Sequence, residues 1–307
     1  MEDRSLWVYA ASSVVAPQRA VRRAQRRLGN LGFDVCVDDS VRHRHQRFAG
    51  TDDERVQALH RVASAAPAVA LAARGGYGLT RILDAVNWKA LSRSVEKGTR
   101  WVGYSDLTAL QLAMFRHTAQ VSWHGPMALD DFGYEPTDDA LVEAWRHVTA
   151  ECFSEAMSGE LEAVGFRTET GFDGLARRGT LWGGNLAMVC SLLGTPHWPD
   201  AAHGILFLED VGEHPYRVER MLLQLLQAGV LQRQRAVILG QFTQWKASPL
   251  DRGYGLKAVV AHLRGCTKTP VLTGLPFGHV PLKVCLPIGC QARLVVQGRD
   301  ALIAWGD

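Results

Sequence analysis

The sequence has no stretch approaching the roughly 20 consecutive apolar residues that span a bilayer. Its apolar run from Leu6 to Val15 is broken by Ser12 and Ser13, so it reads as a strand over residues 5–11. The opening Met1-Glu2-Asp3-Arg4-Ser5 carries no basic region ahead of that run, which leaves no export signal and sets the expectation of a cytoplasmic protein. Cys-x-x-Cys is missing: the six cysteines, Cys36, Cys152, Cys190, Cys266, Cys285 and Cys290, are scattered, several within apolar runs. That excludes a disulfide framework and a zinc-ligand spacing and predicts reduced, mostly buried thiols. No His-x-x-x-His pair supports a zinc hydrolase, and Gly-x-Gly-x-x-Gly is not matched. Internal repeats and low-complexity tracts are absent. A net charge of +3 over 307 residues is too small to argue for nucleic acid or an anionic membrane. Ordinary usage, 47% hydrophobic and 21% charged, excludes disorder and fibrous architectures.

What is present is an alternation of strand-like and helix-like segments in the first half, the pattern of a parallel sheet covered by crossover helices. Strands are expected over 5–11, 32–37, 67–73 and 100–104. Thr51-Asp52-Asp53-Glu54 has capping-box spacing, and Val56, Leu59 and Ala63 recur at helical intervals, so a helix over 53–65 follows. Leu107, Leu110 and Met114 predict a helix reaching His117. Arg19, Arg22, Arg23, Arg26 and Arg27 fall on one helix and read as a solvated face, because no aromatics interleave with them as in a nucleic-acid patch. Residues 130–175 lose the regular pattern and place a domain boundary near 160–175. The division expected is a domain over 1–160, a linker over 161–175 and a second domain over 176–307. In the latter, Leu186 to Leu193 suits a short buried helix, and Ile205 to Leu208 reads as a buried strand ending in Glu209-Asp210. Val218, Met221, Leu222 and Leu225 mark an amphipathic helix stopped at Gly229. Ala236 to Gly240 is a further strand, and 291–305 form two closing strands with a turn near Gly298.

Ser105, in Gly103-Tyr104-Ser105-Asp106, sits on a strand-to-helix turn. There it either projects its hydroxyl as a nucleophile or simply caps the helix. Arg74-Gly75-Gly76-Tyr77-Gly78 follows a strand; its glycines let backbone amides approach a phosphate or an oxyanion, or make a tight turn with no ligand. Glu209, Asp210 and Glu213 cluster after a buried strand, where they could act as acid or base, bind a metal, or cap a helix. Of the 11 histidines, His43 and His45 fall in a polar surface loop. His124 and His279 sit in turns defined by glycine and proline, as backbone-bonded or as catalytic groups.

Taken together, the segments Phe48-Ala49-Gly50-Thr51-Asp52, Arg74 to Gly78, Gly103 to Leu110, His124-Gly125-Pro126-Met127, Gly183-Gly184-Asn185-Leu186, Leu208 to Glu213 and Gly278-His279 resemble the LD-carboxypeptidase family of serine peptidases, which also contains the microcin-immunity peptidases. The match runs nearly end to end and in the family's order. It departs from the family at Ala10-Ala11-Ser12-Ser13 and where Gly240-Gln241-Phe242-Thr243 runs into Trp245, positions that bear on pocket shape.

The resemblance implies an α/β protein of two domains, an N-terminal flavodoxin-like parallel sheet with flanking helices and a C-terminal mixed β/α domain, with the site between them, usually in a homodimer. It implies Ser105 as nucleophile, Glu209 as the acid that orients the base, and His279 as base. The amides of Asp106 and of Gly75 or Gly76 would hold the oxyanion; the substrate's free carboxylate needs a cation, for which Arg74 beside the glycine loop is the candidate, its other reading being a structural surface arginine. The expected reaction removes the terminal D-alanine from a peptidoglycan tetrapeptide in murein recycling, without metal or organic cofactor and with no nucleic-acid or membrane partner. A self-immunity peptidase cleaving peptidyl- or aminoacyl-nucleotides would share the three residues. A non-catalytic protein binding a muropeptide or phosphate at Arg74 to Gly78 would bind without turnover.

Overall fold

The computed structural model describes residues 3–306. In chain order its main elements are β1 (Ser5–Tyr9), α1 (Gln18–Asn30), β2 (Asp34–Val37), α2 (Asp52–Ala65), β3 (Val69–Ala72), α3 (Trp88–Glu96), β4 (Arg100–Gly103), α4 (Leu107–Thr118), β5 (Ser122–His124), α5 (Ala140–Ser158), β6 (Ala163–Arg167), β7 (Ala176–Asn185), α6 (Leu186–Leu192), β8 (Ile205–Val211), α7 (Pro215–Gln227), β9 (Ala236–Thr243), α8 (Leu256–Cys266), β10 (Val271–Thr273), β11 (Leu286–Ile288), β12 (Gln291–Gln297) and β13 (Asp300–Ala304). They fall into two compact units. Among the described residues, one holds 3–160, 197–199 and 281–288; the other holds 161–196, 200–280 and 289–306.

The first unit is built on a six-stranded sheet in the order β11-β5-β4-β3-β1-β2. All neighbours are parallel except β11, which runs antiparallel to β5. Every residue of β3 is buried, as expected of a central strand covered on both faces. The capping box at α2 forms as its spacing predicts: Glu54 N donates to Thr51 Oγ1 at 3.2 Å and Thr51 N donates to Glu54 Oε2 at 2.7 Å. Chain direction across the sheet reverses between β1 and β3, and in open parallel sheets the loops after such strands form the binding crevice. Those loops carry Ser12, Ser13 and the glycine segment after Arg74.

The second unit is a seven-stranded sheet in the order β10-β9-β8-β7-β12-β13-β6. β7 is shared. Its first half pairs antiparallel with β12 and its second half pairs parallel with β8. Gly183, in the parallel half, has φ +137°, and a Cβ there would lie 1.9 Å from the Phe207 carbonyl oxygen, so only glycine lets these two strands approach.

Several expectations differ from this structure. The segment 161–175 is more than a linker, because β6 within it pairs with β13; Val164 and Phe166 are its inward residues, a short alternation masked by the glycines around it. The stretch 130–175 also contains the 19-residue α5, whose N-cap Asp139 accepts from the amides of Leu141 and Val142. The second half does not stay in the second unit, since 281–288 returns to the first. Only Cys152 and Cys285 are buried; Cys36 and Cys266 are exposed. Nor is the arginine face of α1 wholly solvated. Arg23 Nε donates to the Gly133 carbonyl at 2.9 Å and Arg27 Nη1 to those of Phe132 and Tyr134 at 2.8 Å. Among the described residues no helix is long and apolar enough to cross a membrane.

Gly183→Ala is expected to lower stability by more than the ~1–3 kcal/mol that a left-handed non-glycine residue costs alone, because a backbone clash adds to it. Urea unfolding of the purified variant measures this.

Candidate active site

In the first unit, β4 ends at Gly103 and α4 begins at Leu107, which leaves three residues to make the turn. Ser105 makes it with φ +64°, the left-handed region that a side chain occupies at a cost of about 1–3 kcal/mol. The N-cap of α4 is Asp106, and no side chain caps the helix there. Ser105 is therefore not the ordinary cap that its position before a helix allowed. Its left-handed strand-to-helix turn is instead the backbone geometry of a nucleophile elbow.

Gly75 lies directly against this turn. A Cβ on Gly75 would sit 2.8 Å from Ser105 Cβ and Oγ and 3.3 Å from the Asp106 amide nitrogen. Glycine thus keeps backbone, and no side chain, beside the hydroxyl. Gly76 has φ +110°, and a Cβ there would fall 2.1 Å from Ser13 Oγ. The Ser13 hydroxyl accepts from the Tyr77 amide at 3.0 Å. Ser12 Oγ donates to Asp106 Oδ2, which also accepts from the Leu79 amide at 3.0 Å. Burial raises the Asp106 carboxyl above its ordinary pKa, opposed by the Ser12 and Leu79 hydrogen bonds and by the charges of Arg55 and Arg47. Arg55, fully buried, donates to the carbonyls of Ala11 at 2.9 Å and Gly78 at 2.8 Å. One guanidinium and two serines therefore tie the loops after β1 and β3 together. Arg74 Nη1 reaches the Val14 carbonyl at 3.4 Å, and its guanidinium forms no ion pair among the described residues. His124 is buried on β5 with its ring 6.1 Å from that of Tyr104, while His43 faces Glu54 in the loop before α2.

In the second unit the three clustered carboxylates part ways. Glu209 has no solvent exposure; its Oε2 lies 2.8 Å from His279 Nδ1, and its Oε1 accepts from Asn185 Nδ2 at 3.2 Å. A register irregularity between β8 and β9 falls at Leu208 and Asp210, and such bulges re-aim side chains beside functional sites. Gly278, with φ +128°, passes so close that a Cβ would lie 3.2 Å from Glu209 Oε2. Asp210 serves α6 instead. Its oxygens accept from Asn185 Nδ2 at 3.0 Å, the Ala187 amide at 2.9 Å and the Val211 amide at 2.8 Å. Glu213 pairs with Arg217 on the first turns of α7. A carboxylate on Nδ1 fixes the imidazole tautomer and stabilises its protonated form, the arrangement required of a general base acting through Nε2.

Sequence reasoning assigned no role to Ser12, Ser13, Arg55 or Asn185. Asn185 could have been found, since an Asn directly before an apolar helical run signals an N-cap, and its Oδ1 does accept from Met188 N at 3.2 Å. Arg55 had no such signal; it looked like one more charge in a helix. Among the described residues no group of three or more His, Cys, Asp or Glu side chains is placed to hold a metal ion.

Ser105→Gly is expected to be more stable than Ser105→Ala by about 1 kcal/mol in chemical unfolding, because only glycine adopts φ +64° without cost. Asp210 gives a pH test. Burial first and the Glu209 charge second push its pKa up from 3.8 to about 6, so its stabilising contribution is complete below pH 4 and lost as pH rises through about 6. Asp210→Asn forfeits one acceptor at every pH and, having no titrating carboxyl, lacks this slope. The stability gap between parent and variant should therefore narrow from pH 4 to pH 7 in urea titrations; a gap independent of pH would contradict the assignment.

Residues 7–125 match the model of the LD-carboxypeptidase N-terminal domain and residues 178–294 that of the LD-carboxypeptidase C-terminal domain. A Bacillus subtilis protein named "Probable murein peptide carboxypeptidase" is 30% identical over 283 residues, covering 91% of this chain and 85% of that protein. The crystal structure of muramoyltetrapeptide carboxypeptidase from Oxalobacter formigenes superposes with a TM-score of 0.87 at 36% identity, covering 99% of both chains. The microcin C7 self immunity protein, in complex with aspartyl sulfamoyl adenosine, shares the fold with a TM-score of 0.86 at 20% identity, over 100% of this chain and 97% of its own. With both domain models matched in order, the chain belongs to the LD-carboxypeptidase family.

Proposed function

We propose that this chain is a serine carboxypeptidase that hydrolyses the amide between diaminopimelate, or lysine, and the terminal D-alanine of murein tetrapeptides. The observation that carries the reading is the buried Glu209 carboxylate 2.8 Å from His279 Nδ1, in a chain whose only left-handed serine, among the described residues, is Ser105. Ser105 Oγ attacks the scissile carbonyl. With Nδ1 engaged by Glu209, Nε2 of His279 takes the serine proton and later delivers it to the departing D-alanine amine; water then hydrolyses the acyl-enzyme. The amides of Asp106 and of Gly75 or Gly76 hold the oxyanion, each worth roughly 3–4 kcal/mol in comparable sites. Arg74 meets the substrate's free carboxylate. The protein acts in the cytoplasm, as a homodimer, on muropeptides released for reuse.

The test is incubation of purified protein with a murein tetrapeptide and, separately, with an aminoacyl sulfamoyl adenosine, following release of the amino acid by mass spectrometry. D-Alanine release is expected from the tetrapeptide, and Ser105→Ala should lower kcat by about 10³-fold or more while leaving peptide binding largely intact. Turnover of the nucleotide conjugate alone would reject the murein reading. Peptide binding without turnover, indifferent to Ser105→Ala, would reject the enzyme.

A further inference from the structure

Four residues after His279 in the chain, Lys283 forms a buried ion pair with Asp131, the two side chains being 4% and 5% exposed. The reaction as written uses neither. A buried ion pair is weak support for a fold, since apolar replacement of both partners is often neutral or stabilising. Its position is what distinguishes this pair. Lys283 Nζ lies 4.8 Å over the ring of Tyr104, the residue immediately before the left-handed Ser105. Asp131 Oδ2 accepts from the Met127 amide at 2.8 Å, just beyond β5. The backbone on either side of Lys283 is held too. Thr149 Oγ1 donates to the Pro281 carbonyl at 2.7 Å and accepts from the Lys283 amide at 2.9 Å, and the Cys285 amide donates to Cys152 Sγ at 3.3 Å.

We propose that Lys283 and Asp131 are positioning residues for the reaction: their charge pair fixes Tyr104, and so the Ser105 elbow, together with the strap 281–288 that the chain enters two residues after His279. The inference rests on the assignment of Ser105 and His279 proposed above. Its physical basis is strain. A serine at φ +64° has a more relaxed backbone available, and reaching it rotates the peptide that joins it to Tyr104. A cation packed over the buried Tyr104 ring and locked by a carboxylate opposes that rotation.

Wild type, Lys283→Met, Asp131→Asn and the double variant separate positioning from stability. Each is assayed for kcat and KM on the tetrapeptide well below its melting temperature, alongside thermal unfolding. Lys283→Met buries a lone carboxylate and should lower the melting temperature; the double variant removes both charges, keeps an amide oxygen for Met127, and should recover much of it. Positioning predicts that kcat in the double variant stays reduced about tenfold or more, as small misplacements of reacting groups do, with KM within about twofold. Recovery of kcat to within twofold of wild type in the double variant overturns the inference. Wild-type protein that releases no D-alanine overturns the reaction on which it rests, and the two failures are distinct.

Discussion

A carboxylate removed from water must find its hydrogen bonds and countercharge inside the protein, or lose its charge. Glu209 is wholly enclosed, and its two oxygens are committed, one to the His279 imidazole and one to the Asn185 amide. Most of the second unit's local design follows from that commitment. Glycine at 278 lets the chain bearing the imidazole pass over the carboxylate, a strand irregularity directs the side chain, and Asn185 serves both as helix cap and as donor. The neighbouring Asp210 is also buried but answers to α6, and burial together with the like charge beside it pushes its pKa up to about 6. Adjacent carboxylates of the same strand end thus acquire different chemistry from their partners alone.

The first unit meets a different constraint. A serine on a strained, left-handed turn keeps that geometry only if the surrounding backbone refuses to relax, and the structure supplies that refusal from three directions. The glycine segment after β3 is clamped to the loop after β1 by Ser13 and Arg55. Asp106, next to Ser105, is held by Ser12 and the Leu79 amide. Tyr104, on the other side, lies under the Lys283 ammonium. The serines at 12 and 13 make two of these connections.

Much of this was legible beforehand where local rules and tertiary needs agree. The strands at 5–9, 69–72 and 100–103, the capped helix from Asp52 and the buried strand delivering Glu209 all have patterns set by their own burial. The pattern failed where burial was short or shared. β6 alternates over five residues among glycines, and α5 exposes Leu141, Trp145 and Val148, so its periodicity does not mark a single buried face. The excursion of 281–288 into the first unit leaves no compositional trace, because returning to another unit's sheet edge takes only a three-residue strand.

Of the candidate site, the chain by itself determined which side chains are candidates for the chemistry: a serine before a helix, a glycine loop, a carboxylate at a strand end and a histidine after a turn, recognisable as a set because each motif is local. It did not determine their roles. Whether Ser105 caps or projects depended on a φ that only the packing of β4, α4 and Gly75 imposes. Which of Glu209, Asp210 and Glu213 faces the imidazole depended on strand register. The partners of Lys283 and Arg55 are long-range contacts, and hydrogen bonds between residues far apart in sequence are set by the fold as a whole, not by any window of residues within it.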